Sequence, residues 1–376
     1  MRRNLNLKEL CGERLVMKYA LSNSREGYLS SNNDIEGIFL RCSQKINKTK
    51  SLIDNYPREW EIVKKQIHEH EYVYTGPYHV NNISRIVPIS RSYFKLCEIY
   101  YEFNILNTVH PNKIVCLAEA PGGFIQSLIK LVPDKNIKVI HGVSLLDPDN
   151  KNVPKWNSLL TVLEKVDFIE GVKGDGDLYD FINVLSIIKT IGKGSVDFCS
   201  GDGGLDYSGD YSKQEANSLK LIYSEIFVAL NVQKKGGSFV CKIFDITMKE
   251  TLMLIHILKE SYQSVSFYKP KISRFSNSEK YVVCSDYKGY NKSIINELCY
   301  SFNDNKIERK MDAFFIDDLL KFNSQYCNKQ VEYIEKGLRL IEHKKLMKRP
   351  TKYQIEYSIE WCKKYNIPIN NDCHYL

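Results

Sequence analysis

The segment Lys113-Ile-Val-Cys-Leu-Ala-Glu-Ala-Pro-Gly-Gly-Phe124 sets the architecture of this 376-residue chain. Its first five residues form a β-rich run, Pro-Gly-Gly predicts a tight turn, and the apolar spacing that follows predicts an amphipathic helix. Strand, glycine turn and helix together open nucleotide-binding α/β folds, in which the glycines let a ligand approach the backbone. The segment has neither a dinucleotide fingerprint nor a P-loop, which disfavours dinucleotides and triphosphates. Taken alone, a Pro-Gly-Gly turn is more often a helix start that binds no ligand.

Strand-like and helical runs alternate outward from this segment, between about residues 90 and 290. Such alternation predicts an α/β fold with a doubly wound, mostly parallel sheet. We expect seven strands, at Lys113–Leu117, Lys138–Val143, Val166–Ile169, Val196–Cys199, Ser238–Ile243, Val265–Tyr268 and Lys280–Cys284.

Two extensions flank the alternating region, which we place at residues 86–290. The N-terminal extension, 1–85, is predicted to be mixed and helical, with an extended stretch over Tyr72–Pro88. The C-terminal extension, 291–376, is predicted to be helical. The apolar face of Phe315–Leu340 either packs on the central domain, which we favour, or docks a partner.

The composition is that of an ordinary globular protein, with 43% hydrophobic and 26% charged residues. No apolar run approaches the roughly 20 residues that span a bilayer, and the first residues lack the apolar core of a signal peptide, so no membrane partner is expected. The 11 cysteines include no Cys-x-x-Cys pair, which favours reduced thiols and disfavours zinc. The net charge of +8 is compatible with RNA, although charge alone favours a merely solvated basic surface.

A glycine-rich acidic run, Gly171-Val-Lys-Gly-Asp-Gly-Asp177, directly follows the predicted strand Val166–Ile169. Acids at the carboxyl ends of parallel strands face the crevice in which α/β folds bind ligands. Asp175 or Asp177 is therefore placed to hydrogen-bond an adenine amino group or a ribose. Calcium is disfavoured because the EF-hand spacing and its closing Glu are missing, and a plain loop is the alternative.

Two further strand ends carry a charged residue. Asp202 follows the strand Val196–Cys199 between glycines, where a rigid sheet presents catalytic carboxylates. Lys242 interrupts Ser238-Phe-Val-Cys-Lys-Ile-Phe244, a run otherwise suited to burial. Desolvation and a second nearby cation are expected to lower the pKa of Lys242, which would make its amine a general base. A solvent-facing turn and a snorkelling lysine are the respective alternatives.

Five passages, in this order, resemble those of the FtsJ-like RNA ribose 2′-O-methyltransferases, and they are closer to the eukaryotic and viral cap-specific mRNA branch than to the bacterial ribosomal one. They are Ser90-Arg-Ser-Tyr-Phe-Lys95, Glu119-Ala-Pro-Gly-Gly-Phe124, Asp197-Phe-Cys-Ser-Gly-Asp202-Gly-Gly, Gly236-Gly-Ser-Phe-Val-Cys-Lys242 and Ser276-Asn-Ser-Glu279-Lys-Tyr-Val-Val. Five motifs in order are far more specific than one. The resemblance implies a catalytic tetrad of Lys95, Asp202, Lys242 and Glu279, with no metal.

The resemblance also implies the Rossmann-like class I methyltransferase fold, with a seven-stranded sheet and S-adenosylmethionine as cofactor. The cofactor-binding residues it implies are Glu119, Ala120, Pro121, Gly122, Gly123, Phe124, Ser144, Asp175 and Asp202. Many relatives carry an acid for the cofactor ribose after the second strand, but this chain has Gly142-Val-Ser144-Leu-Leu-Asp147 there. Ser144, or a shifted Asp147, must take its place.

Within the tetrad, Lys242 is expected to be the base or the group that orients the attacking oxygen. Lys95 would be a cation that lowers the pKa of Lys242 and steadies the nascent alkoxide, while Asp202 and Glu279 would fix the two amines.

The expected reaction is methylation of the first transcribed nucleotide of capped mRNA, with RNA as partner and the capping or transcription machinery as a further one. The cytoplasm is the favoured compartment, with the nucleus or a viral factory or virion as alternatives. The same chemistry on ribosomal or transfer RNA, and a catalytically silent RNA-binding scaffold, are the alternative functions. A dinucleotide-dependent oxidoreductase is disfavoured by the absent fingerprint.

Overall fold

A computed structural model describes residues 18–21, 33–106, 112–133, 136–204 and 213–376, with the backbone alone for 33–38. Most of the predicted N-terminal extension is thus described, but its residues 1–17 and 22–32 lie outside the described ranges.

One mixed sheet holds all strands of the described residues: β1 Lys18–Ala20, β2 Lys113–Leu117, β3 Val139–Val143, β4 Val166–Phe168, β5 Val196–Gly201, β6 Gln233–Ile243, β7 Tyr262–Tyr268 and β8 Lys280–Tyr287. Their order is β1-β7-β8-β6-β5-β2-β3-β4. Strands β6, β5, β2, β3 and β4 run parallel, while β8 and β7 are antiparallel to their neighbours. The predicted doubly wound, mostly parallel sheet is therefore confirmed.

The prediction of seven strands is wrong by one, because β1 adds an eighth at the edge of the sheet. This strand has three residues and pairs antiparallel with β7, Lys18 opposite Tyr268. Three residues carry too little alternation to be recognised from sequence. Strand β6 also begins five residues before the predicted Ser238, because an irregularity in the β5–β6 pairing brings Gln233 opposite Val196.

The described helices are α1 Asn33–Ser51, α2 Pro57–Gln66, α3 Ser92–Phe103, α4 Gly123–Leu131, α5 Ser158–Thr161, α6 Phe181–Ile191, α7 Gln214–Val232, α8 Lys249–Ser261, α9 Lys292–Tyr300, α10 Ala313–Glu342 and α11 Lys352–Lys364. Several begin at a side-chain cap. Asp180 accepts a hydrogen bond from the Asn183 amide at the start of α6, and Thr351 forms a capping box with Gln354 in α11. None of these helices is long and apolar enough to cross a membrane.

Apolar cores form on both faces of the sheet, as the alternation of β2 shows. Val115 and Leu117 pack with the helices α6, α7 and α8, whereas Ile114 and Cys116 pack with α3 and α4. Successive side chains of a strand point to opposite faces, so a central strand covered by helices on both sides must be apolar throughout.

The two extensions pack against each other and against the sheet edge. Trp60 of α2 lies so close to Gly337 of α10 that a Cβ there would be 2.7 Å from its ring. Phe322 of α10 stacks on Phe267 of β7 with ring centroids 4.4 Å apart, so the apolar face of α10 is packed, as favoured. The predicted extended stretch Tyr72–Pro88 is wrong, since short 3₁₀ turns and a single β-bridge replace it.

Candidate active site

A cavity of about 650 Å³ opens where the chain reverses its direction across the sheet, between β2 and β5. Chains leaving these two parallel strands diverge to opposite sides, which leaves a crevice at their carboxyl ends. The lining residues come from the ends of β2, β3, β5 and β6, from the helices α3 and α7, and from loops: Ser90, Ser92, Lys95, Ala118, Glu119, Ala120, Pro121, Ser144, Leu145, Asn150, Asn152, Val153, Pro154, Gly176, Asp177, Leu178, Tyr179, Asp202, Gly204, Leu221 and Lys242.

The two glycines of the turn pack closely against neighbouring segments. Gly122 caps α4 with φ of 113°, and a Cβ on it would lie 2.1 Å from Leu160 Cδ1. A Cβ on Gly123 would lie 2.1 Å from the Oγ atom of Ser92. Both glycines are therefore required for close packing of neighbouring segments. Of the predicted cofactor residues in this turn, the structure places Glu119, Ala120 and Pro121 on the cavity wall but not Gly122, Gly123 or Phe124.

Glu119 presents an unpaired carboxylate oxygen to this region. The side chain is buried, and its Oε1 accepts a hydrogen bond from the Phe124 N–H. Its Oε2 is buried without a partner among the described residues. Burial and, second, the neighbouring Asp202 raise the pKa of Glu119 well above its usual range. A buried orphan oxygen of this kind is an expected contact for a polar or cationic ligand.

The four residues proposed for ribose or adenine recognition divide into two pairs. Ser144 and Asp177 lie on the cavity wall. Asp147 instead accepts two backbone N–H groups within its own turn. Asp175 accepts hydrogen bonds from Asn183 Nδ2 and the Asp177 N–H, both at 3.0 Å, and it does not line the cavity. The structure therefore brings Ser144 and Asp177 to the site and leaves the other two carboxylates in structural roles.

Sequence reasoning missed one wall of the cavity. This wall is formed by loop residues after β3 and before α6: Leu145, Asn150, Asn152, Val153, Pro154 and Tyr179. Leu145 and Tyr179 are 44% and 41% exposed, although both are largely apolar. Irregular loops have no hydrophobic period, so only the dense Asp, Asn and Pro content directly after a strand marked this segment. Exposed apolar groups beside a few polar ones are typical of small-molecule sites.

Two lysine–carboxylate pairs also lie at the cavity. Lys95 Nζ of α3 is 2.7 Å from Glu279 Oε2 in the turn before β8. Lys242 Nζ of β6 is 3.4 Å from Asp202 Oδ1 and donates to the Asp202 carbonyl at 2.7 Å. Three of these residues line the cavity, and Glu279 reaches it through Lys95. Within the described part of the chain, His, Cys, Asp and Glu side chains nowhere form a group of three that could hold a metal ion.

The predicted lowering of the Lys242 pKa is wrong, because its pKa is raised. Burial alone would lower it, but the carboxylates of Asp202, Glu279 and Glu225 outweigh burial. The expected repulsion from the second lysine is thus smaller than the attraction of these carboxylates, of which Glu225 reaches the site from α7. Lys242 therefore stands as an ammonium cation at neutral pH.

Glu279 is the opposite case, a buried carboxylate that stays ionised. Burial by itself would raise its pKa, but the cations of Lys95, Lys242 and Lys269 hold it well below the usual range. Ser273 Oγ also donates to Glu279 Oε1 at 2.8 Å. The two pairs thus place full charges of both signs at the cavity.

Two supporting residues were missed from the sequence. Tyr281 donates from its hydroxyl to Asp202 Oδ1 at 2.7 Å; it lies two residues after Glu279, a spacing that was a usable signal. Glu225 accepts from the Gly203 N–H at 3.2 Å and from Cys241 Sγ at 3.3 Å. A lone acid in the apolar stripe of α7 was the only sign of this second residue.

The model of the FtsJ-like methyltransferase family matches residues 88–287, more than half of the chain. The chain belongs to the FtsJ-like methyltransferase family. The resemblance found in the sequence is confirmed, and a family of methyltransferases implies a methyl donor of the S-adenosylmethionine type. The match begins after the N-terminal extension and ends with β8.

Curated relatives extend this family match. The cap-specific mRNA (nucleoside-2′-O-)-methyltransferase 1 of Caenorhabditis elegans is 28% identical over 57% of this chain and 26% of its own length. The protein of the same name from Mus musculus is 30% identical over 52% of this chain and 26% of its own. A Caenorhabditis briggsae relative named inactive cap-specific mRNA (nucleoside-2′-O-)-methyltransferase 1B is 27% identical over 57% and 28%. The chain therefore spans about a quarter of the length of these relatives.

Proposed function

We propose that this chain is an S-adenosylmethionine-dependent RNA ribose 2′-O-methyltransferase that acts on the first transcribed nucleotide of capped mRNA. The observation that carries the proposal is the pairing of Lys95 with Glu279 and of Lys242 with Asp202 at the cavity. Family membership and the names of the relatives support the reaction and the substrate class.

The cavity residues fit the proposed cofactor. When bound, S-adenosylmethionine supplies an electrophilic methyl group on a sulfonium. The orphan oxygen of Glu119 and the carboxylate of Asp202 suit the cationic part of such a molecule. Asp177 and Ser144 are polar groups for its nucleoside part. The flat apolar surface for a base would come from Leu145, Val153, Pro154 and Leu178.

Lys242 acts as the group that orients and stabilises the attacking oxygen. Its raised pKa supports this role over that of a general base, because a protonated amine cannot accept the hydroxyl proton. A buried ammonium beside a developing alkoxide stabilises negative charge more strongly than it would in water. Asp202 fixes the amine through both its side chain and its carbonyl.

Lys95 supplies the second cation of the site. Its amine is held by Glu279, so the two charges balance before substrate binds. A site that is close to neutral can admit the ribose of a polyanion while still presenting two ammonium groups to one oxygen. The remaining rate gain comes from alignment of the hydroxyl with the methyl group.

Methyl transfer from labelled S-adenosylmethionine to matched capped and uncapped RNAs tests the proposal, with nuclease digestion to locate the methyl. Label on the first-nucleotide 2′-oxygen of capped RNA alone is the expected result. Label on uncapped structured RNA would instead assign the chain to ribosomal or transfer RNA modification. No label on any RNA, with cofactor still bound, would overturn the proposal in favour of a scaffold.

A further inference from the structure

The two segments that carry Lys95 and Glu279 each contain an arginine that does not line the cavity. Arg91 lies four residues before Lys95, one helical turn, and Arg274 lies five residues before Glu279. Both arginines reach the same carboxylate, that of Glu71, which lies in a 3₁₀ turn of the N-terminal extension.

Glu71 is a buried carboxylate that is held by two partly exposed arginines. Arg274 donates from Nε to Glu71 Oε2 at 2.9 Å and from Nη2 to Oε1 at 2.6 Å, a bidentate arrangement. Arg91 Nη2 lies 3.6 Å from Oε2 and also donates to the carbonyl of Ile272 at 3.2 Å. The Glu71 side chain is 3% exposed, so loss of its charge would leave two cations facing each other with little water between them.

These contacts close a ring through the candidate site. Glu71 joins Arg91 to Arg274, and the backbone leads from each arginine to Lys95 and Glu279, which meet at 2.7 Å. The contacts of Glu71 thereby tie the segment that carries Lys95 to the segment that carries Glu279. No strand pairing does this, because Lys95 lies on α3 and Glu279 in a turn.

Other contacts of the extensions support the same turn. Lys50 of α1 donates to Ser278 Oγ at 2.8 Å, and Tyr326 of α10 donates to the Asn277 carbonyl at 2.7 Å. The turn before β8 is thus held by residues that lie outside the family match at 88–287.

We propose that Glu71 is a positioning residue for methyl transfer, which links the segment of Lys95 to the segment of Glu279 through Arg91 and Arg274. This inference rests on the function proposed above. Glu71 does not line the cavity, so it acts by holding the Lys95–Glu279 pair in place.

The test compares Glu71→Gln with Glu297→Gln in the full chain. Glu297 accepts a similar bidentate pair from Arg309, but both residues lie away from the cavity, which makes it a matched control. We expect Glu71→Gln to lower kcat by about 10- to 100-fold while KM and cofactor affinity stay within about twofold. Glu297→Gln should leave kcat unchanged, and Glu71→Asp should recover part of the loss.

Hydrogen exchange separates the inference from the proposed function. In Glu71→Gln, amides of residues 91–95 and 274–279 should exchange faster together, with the rest of the sheet unchanged. Exchange confined to one of these segments, wild-type kcat in Glu71→Gln, or equal losses in both variants would overturn the inference. Should the wild type transfer methyl to no RNA, the proposed function fails, and the exchange result still decides whether Glu71 couples the two segments.

Discussion

The two lysine–carboxylate pairs of the site have the same chemistry and different supports. Lys242 lies on β6 and Asp202 directly follows β5, so the hydrogen bonds of neighbouring parallel strands fix their separation. Lys95 and Glu279 lie on a helix and a turn, and side chains of the extensions hold them together. One pair depends on strands that lie within the family match at residues 88–287, and the other also on residues outside it.

The comparison indicates that a charged pair on a helix and a turn can be held at a fixed separation, as a pair on two strands is, when ion pairs connect the segments that carry it. The comparison also distinguishes two ways in which substitutions could reduce activity. Substitutions at the strand pair should remove chemistry directly, whereas the helix–turn pair should respond to changes far from the cavity. Both expectations can be measured.

Removal of Lys242 should have the largest effect. Lys242→Ala takes away the cation that Asp202 holds, and we expect kcat to fall by about 10³-fold or more, with cofactor affinity nearly unchanged. Methyl transfer and calorimetric cofactor binding on the same preparation measure the two quantities. Lys234→Ala, on the same strand but at its far end, is a control that should keep wild-type turnover. Substantial turnover in Lys242→Ala would remove the strand pair from the reaction.

Lys95→Ala should be the milder of the two lysine variants. Lys269 stays close to Glu279 and continues to offset its charge, so we expect a loss in kcat of about 10²-fold. The variant should also lose some of its stability near neutral pH. Glu279 has a depressed pKa in the folded state, so it stabilises the protein above its ordinary pKa and this stability is lost as the pH falls.

Thermal unfolding of Lys95→Ala between about pH 3 and 7 measures this acid dependence. The difference in stability from the wild type should be largest at neutral pH and shrink as Glu279 becomes protonated. A difference independent of pH would mean that Lys95 contributes packing and not charge.

Gly122→Ala tests the glycine turn before α4. A side chain there would have both a positive φ and a Cβ 2.1 Å from Leu160, so we expect a loss of about 1–3 kcal/mol in stability and weaker cofactor binding. Gly194→Ala is a matched control, with φ of 62° and no atom within 4 Å of its Cβ. Unfolding midpoints and cofactor titrations of both variants separate backbone strain from the contact with Leu160. Equal effects in the two would assign the loss to strain alone.

The smallest effect is expected at Glu225, behind the strand pair. Burial raises its pKa from the ordinary 4.5 to about 8. The folded state therefore binds a proton that the unfolded state releases, so stability should decline as the pH rises from about 5 to 8. Glu225→Gln should flatten this decline, and Glu297→Gln should not. Urea unfolding at several pH values measures this dependence. If Glu225→Gln leaves the slope of stability against pH unchanged, the titration of Glu225 does not cause the decline.

Much of the fold and part of the site could be predicted from the sequence. The apolar runs of Lys113–Leu117 and Ser238–Ile243 reveal strands because central strands of such a sheet are buried on both faces. Asp202 and Lys242 could be placed because strand ends converge at one edge. The eighth strand escaped prediction because three residues have no pattern.

What the sequence did not predict has one common cause: the residues that contact one another are far apart along the chain. The raised pKa of Lys242 depends on the carboxylates of Asp202, Glu279 and Glu225, which come from a strand end, a turn and a helix, and no local motif shows how close they lie to the amine. Glu71 meets Arg274 across 203 positions. Asp175 and Asp177 have the same local sequence, yet only the contact with Asn183 decides which carboxylate faces the cavity.

The unpaired oxygen of Glu119 has a consequence for how binding heats must be measured. Burial and the neighbouring Asp202 raise the pKa of this carboxyl group well above its usual range, which favours its protonated form before any ligand arrives. A cationic ligand beside it favours the ionised form, so binding is coupled to release of that proton into the solution. The heat of cofactor binding should then change with the ionisation enthalpy of the buffer, and the slope of that dependence counts the protons released. In Glu119→Gln this slope should fall towards zero.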